Sequence, residues 1–136
     1  MRRLLPAVLI AVLAVPAAAP AATKKERRLA VKITKKIRDG QYVGTRGDGE
    51  PVDYTFCANG KYSANTGGGI SEGEGWKVTD PVSTKSGFTA IIRDGSFSIS
   101  IARLKGQWQV GYESFDEPAA LGDVKRTSGK EVCAEL

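Results

Sequence analysis

Polar and apolar positions follow three different rules along this chain, and the changes of rule divide it. From Leu4 to Ala19 the residues are apolar or small, with Arg2 and Arg3 before the run and Lys24-Lys25-Glu26-Arg27-Arg28 beyond it. That layout predicts a secretory signal peptide over residues 1–21, cut after Ala21, since Ala19 and Ala21 supply the small residues the peptidase requires. A retained anchor is disfavoured, because a spanning helix needs about 20 apolar residues and this run is shorter and carries Pro6 and Pro16. Arg2-Arg3 leaves both the general and the twin-arginine export routes open.

Over residues 22–39 the period becomes helical. Leu29, Ile33 and Ile37 recur every four residues with Ala30 alongside, Thr23 and Glu26 have capping-box spacing, and Gly40 is the expected stop. The apolar stripe covers about 100 degrees and cations fill most of the remainder, so the segment is predicted as a basic amphipathic helix.

Beyond Gly40 the period is two. Gln41-Tyr42-Val43 and Val52 to Cys57 read as strands, Asn59-Gly60 as a hairpin turn, and Lys61 to Ala64 as the returning strand. Trp76-Lys77-Val78 resumes a strand; Phe88 to Arg93, Ser96 to Leu104 and Gln107 to Tyr112 follow, separated by Asp94-Gly95 and Lys105-Gly106. The glycine-rich stretch from Thr66 to Gly75 is expected to be an irregular loop, and the end of the chain a weakly patterned tail with room for one strand near Gly122 to Arg126. The fold class is therefore mainly β: an antiparallel meander or small β-barrel of roughly six to seven strands, neighbours paired in order and edges hidden, with one N-terminal helix. Trp76, Phe97, Trp108 and Tyr112 are expected on its inner face, as packed core or as the lining of a small apolar pocket.

Phe56-Cys57-Ala58-Asn59-Gly60-Lys61-Tyr62 and, after the glycine-rich gap, Gly75-Trp76-Lys77-Val78 resemble the F-x-x-(D/N)-G-x-(Y/F) … G-x-W-x-V arrangement of small exported bacterial lipocalin-like β-meander proteins. The resemblance is confined to residues 56–78. It implies a fold type and carries no catalytic residues.

Charge and cysteines narrow the function classes. Cys57 and Cys133 are the two cysteines of a chain bound for an oxidising compartment, so a single disulfide is expected, clipping the tail of a 40–136 domain to its first hairpin. The formal net charge of +5 conceals an asymmetry: Lys24, Lys25, Arg27, Arg28, Lys32, Lys35, Lys36 and Arg38 face Glu26 alone, whereas acids outnumber bases from Asp39 onward. With no histidine and both cysteines expected to be oxidised, acid-base or nucleophilic chemistry falls to carboxylates, lysines and tyrosines. Glu72 and Glu74 in a glycine-rich loop lack a rigid wall to separate their pKa values, and the loop has neither a calcium-ligand series nor a phosphate-loop lysine. No catalytic residue, metal or cofactor is expected. Arg46-Gly47-Asp48 is read as turn chemistry rather than as an adhesion signal.

The expected function is that of an exported non-enzymatic binding module, acting outside the cytoplasm as a monomer. Its partner is either a small apolar ligand, held near Trp76 and Trp108, or an anionic envelope polymer or lipid headgroup, held by Lys24, Lys25, Arg27, Arg28, Lys32, Lys35 and Lys36. Nucleic acid is disfavoured because no aromatic residues interleave with those charges. The alternative is a secreted inhibitor of an extracellular hydrolase presenting Gly67 to Gly75, against which stands the entropy of ordering so glycine-rich a loop.

Overall fold

A computed structural model describes residues 22–112 and 120–136, so the expected signal peptide lies outside the described residues. Helix α1 (Lys24–Ile37) is followed by strands β1 (Gly40–Thr45), β2 (Pro51–Phe56), β3 (Lys61–Thr66), β4 (Gly69–Glu74), β5 (Lys77–Thr84), β6 (Gly87–Asp94), β7 (Phe97–Leu104), β8 (Gln107–Tyr112) and β9 (Gly122–Ser128), then by helix α2 (Lys130–Glu135). All nine strands join one antiparallel sheet in the order β4-β3-β2-β1-β9-β8-β7-β6-β5, curled into a half-barrel with α1 against its concave face.

Mainly β with an N-terminal helix is what the sequence predicts; the strand count and the order are not. Among the described residues nine strands replace six or seven, and pairing follows the chain within β1 to β4 and within β5 to β9 but not between those runs. The last strand enters the middle: β9 pairs with β1 from Gly40↔Ser128 to Gly44↔Val124, and with β8 from Trp108↔Val124 to Val110↔Gly122. The edges are β4 and β5, which exposed Glu72 and Glu74 blunt on one side and a register shift between Thr79 and Val82 on the other.

The glycine-rich stretch is a hairpin, which corrects the expected loop. Residues 67 and 68 turn, and β4 pairs with β3 through Asn65↔Ile70, Ser63↔Glu72 and Lys61↔Glu74. Its alternation was concealed because the inward positions are Gly69, Ser71 and Gly73 rather than large apolar residues. Gly73 is small of necessity, since a Cβ there would lie 2.7 Å from the Tyr62 hydroxyl and 2.8 Å from its ring.

The helix has the predicted cap and a length of about four turns but stops differently. Thr23 caps it, accepting from the Glu26 N–H while its own N–H donates to the Glu26 carboxylate. It ends at Ile37 with Arg38 as its cap, and Asp39, with a φ of 59°, then turns the chain while its N–H donates to the Phe56 carbonyl. Gly40 serves a close approach instead: a Cβ would meet the Arg126 guanidinium at 2.6 Å. The expected tail is ordered as β9 and α2, and the Cys57–Cys133 disulfide fastens α2 to the end of β2.

Aromatic side chains from both halves of the sheet fill the concavity. Phe56 lies 5.4 Å from Trp76 and 6.2 Å from Tyr42, and Tyr62 stacks 4.9 Å from Phe97 across the opening while its hydroxyl donates to Asp94. Ile33 and Ile37 of α1 close the layer, with Leu29 partly buried against it.

Tyr42 is fully buried; its hydroxyl donates to the Ile37 carbonyl and accepts from Arg126 Nε. Burial pushes its pKa up to about 12, against the opposing pull of Arg126. The raised value means that the folded state holds a proton that the unfolded chain releases above pH 10. The corresponding stability is whole below pH 10 and is lost as the pH rises towards 12, so urea unfolding at pH 11.5 should give a free energy about 2 kcal/mol below that at pH 9 from this residue alone. Tyr62 moves the same way, through burial and the Asp94 carboxylate. Tyr42→Phe should be less stable than wild type at pH 9 and show a shallower fall; an equal fall would sink the assignment.

Candidate functional site

Apart from Val31, which is exposed, helix α1 separates an apolar face from a charged one. Ile33 and Ile37 are buried, Leu29, Ala30 and Thr34 are half-buried, and Lys24, Lys25, Arg27, Arg28, Lys32, Lys35, Lys36 and Arg38 are all exposed. The apolar stripe is thus spent on the core while the predicted binding cations point to solvent along a helix about 21 Å long. Glu26, whose pKa the hydrogen bonds from Thr23 hold below the usual range, is one carboxylate against those eight cations. Among the described residues no ion pair involves any cation of this helix.

The two predicted binding tryptophans sit elsewhere, Trp76 in the packed interior and Trp108 between that interior and the wall of an open cavity. Trp76 is buried with its Nε1 donating to the Cys57 carbonyl, so the quoted Phe56, Tyr62 and Trp76 motif is a packing cluster around the Asn59-Gly60 turn. Trp108 is wedged 5.1 Å from Tyr42 and 5.8 Å from Phe88. Tyr112, expected on the inner face with them, is 56% exposed at the end of β8, where Arg46 lies over its ring.

An open cavity of about 800 Å³ lies where β9 outruns β8. The β8–β9 ladder stops at Trp108↔Val124, yet β9 continues along β1 to Ser128, leaving a notch beside the β7–β8 turn and the last turn of α1. Lys36, Arg103, Lys125 and Arg126 line it, with Asp123 as the acid present. Arg103 lies over the Trp108 ring, its guanidinium carbon 5.6 Å from the centroid. Arg126 donates from Nε to the Tyr42 hydroxyl at 3.0 Å and from a terminal nitrogen to the Arg38 carbonyl at 3.2 Å.

No protein-family model, curated protein or solved structure matches this chain.

The chemistry of the site therefore rests on its own residues. Glu72 and Glu74 project from an edge strand, both exposed, and β4 is a paired strand where the inhibitor alternative needs a presented loop. Among the described residues no group of three or more acidic, cysteine or histidine side chains is placed to hold a metal, and no helix is long and apolar enough to cross a membrane. The Arg46-Gly47-Asp48 charges are spent on each other: Arg46 forks onto Asp48 at 2.8 and 3.0 Å, which holds the Asp48 carboxyl below its usual range and raises the Arg46 pKa.

Sequence reasoning missed Arg103, Lys125 and Arg126. A signal for two of them is present in the pattern. Arg103 continues the Phe97, Ile99, Ile101 series and Arg126 follows Val124 by two, so each is a cation in phase with apolar, inward positions.

Proposed function

We propose that this chain is an exported, non-enzymatic module that binds an anionic polymer of the cell envelope through the solvent face of α1. The observation that carries this reading is the division of labour on that helix. A helix that inserts into lipid needs its apolar stripe free, and here Ile33 and Ile37 are buried against the sheet, so what remains for a partner is charge. The filled concavity favours a polymer over an apolar ligand, because the aromatic rings that would line a pocket pack against one another. The disulfide is in keeping with an extracytoplasmic setting, as is the signal-peptide pattern.

Binding of this kind is largely counterion release and screening. The affinity of the protein for polyphosphate of defined length should fall about tenfold or more between 50 and 200 mM salt. Replacing Lys24, Lys25, Arg27 and Arg28 by glutamine should weaken low-salt binding by about tenfold and flatten the salt dependence. Absence of binding at low salt, or affinity indifferent to salt, would discard the reading.

A further inference from the structure

We propose that the notch between β9, the β7–β8 turn and the end of α1 is a binding site for a phosphate monoester, held by Arg103, Arg126, Lys125 and Lys36. The site shares Lys36 with the polymer-binding face but draws its other cations from β7 and β9, and it stands whether or not that face holds a polymer.

Three observations support it. First, the lining is strongly unbalanced: four cations stand against Asp123, whose carboxylate is already engaged by the Gln109 side-chain amide at 2.9 Å. A dianion fits that surplus better than a carboxylate does, and the cavity of about 800 Å³ leaves room for the sugar, glycerol or lipid portion that carries the phosphate.

Second, the guanidinium groups are positioned by neutral partners. Arg46 and Arg93 are each matched with a carboxylate, Asp48 and Asp80, which consumes their charge locally. Arg103 is placed instead by the Trp108 ring, and Arg126 by the Tyr42 hydroxyl and the Arg38 carbonyl. An arginine fixed this way keeps its full charge for a ligand and loses little freedom on binding it, which is what preorganisation means for an anion site. Those same contacts occupy the Ile37 and Arg38 carbonyls, which would otherwise repel an anion at this end of the helix.

Third, Lys36, Arg103 and Lys125 make no ion pair among the described residues, whereas Arg126 also braces the buried Tyr42. An exposed Arg103 in phase with the core-facing positions of β7 departs from the apolar pattern that the rest of the strand obeys, and such departures mark function more often than packing.

The test is calorimetric titration of the disulfide-bonded protein with inorganic phosphate and with glycerol 3-phosphate at constant ionic strength, beside co-sedimentation with phosphatidylcholine vesicles containing phosphatidic acid. Saturable binding of the soluble esters is expected. Arg103→Gln should weaken it about tenfold and Arg103→Gln with Lys125→Gln further, whereas Lys24→Gln with Lys25→Gln should leave it unchanged while weakening polyphosphate. Arg103→Lys, which keeps charge and loses the fork, should fall between. Vesicle retention that disappears in the Arg103→Gln, Lys125→Gln variant supports the site with a headgroup as its source; soluble binding without retention supports it with a soluble ester. No saturable phosphate binding, or binding that the double variant leaves intact, overturns the site. Loss of polymer binding with phosphate binding intact removes the helix reading alone.

Discussion

Replacing both Cys57 and Cys133 by alanine should lower the unfolding free energy by about 4.5 kcal/mol, the chain-entropy value for a loop of 76 residues. For a domain of this size that is a fall in midpoint temperature of roughly 15–20 °C. The loss should exceed what the small helix α2 contributes by its own contacts, because the bond restricts the unfolded chain from the second strand to the last helix. Without the bond, α2 is held to the sheet by contacts such as Lys61 Nζ donating to the Leu136 carbonyl at 3.0 Å. Calorimetric unfolding of oxidised wild type and the double variant measures it. A difference under about 1 kcal/mol would mean that the bond is strained or the unfolded state already compact.

Phe56→Ala should cost 3–5 kcal/mol, the range for deleting a buried phenyl group when its surroundings cannot collapse. Phe56 is fully buried and lies within ring contact of Tyr42, Tyr54, Tyr62, Trp76 and Phe97, which come from β1, β3, β7, the link between β4 and β5, and β2 itself. Those rings also touch one another, so a collapse that satisfies one opens space beside the next. Ile70→Ala on β4 is the contrast: that side chain is 67% exposed, and its loss should stay within about 0.5 kcal/mol. Urea unfolding followed by tryptophan fluorescence reads both, with Trp76 beside the deleted ring. A cost below about 1.5 kcal/mol for Phe56→Ala would mean that the interior is loosely packed, and the apolar-ligand alternative would regain its ground.

What the sequence made legible was whatever is periodic and local. The α1 stripe, the capping box, the Asn59-Gly60 turn and the alternation of Phe97, Ile99 and Ile101 all depend on neighbours a few residues apart, and each is present in the structure. β4 escaped because glycine and serine take its inward positions, where Tyr62 leaves no room for more, so its period of two carries no apolar signal. The place of β9 escaped for another reason: no local feature says whether a late strand extends an edge or enters the middle. The notch escaped with it, being made by the mismatch in length between β8 and β9. The helix cations were legible as charge, but only the burial of Ile33 and Ile37 determines which partner that charge can meet.

The position of β9 also sets a timetable. Within the sheet, the β1–β4 half and the β5–β8 half meet only through this strand, and its partners Gly44 and Val124 lie far apart in the chain. A chain delivered amino-terminus first therefore cannot complete its sheet until β9 has emerged. Long-range pairing is slow to form. Completion of the sheet is thus deferred by topology alone, since the strand that joins the two halves follows the other eight described strands in the chain.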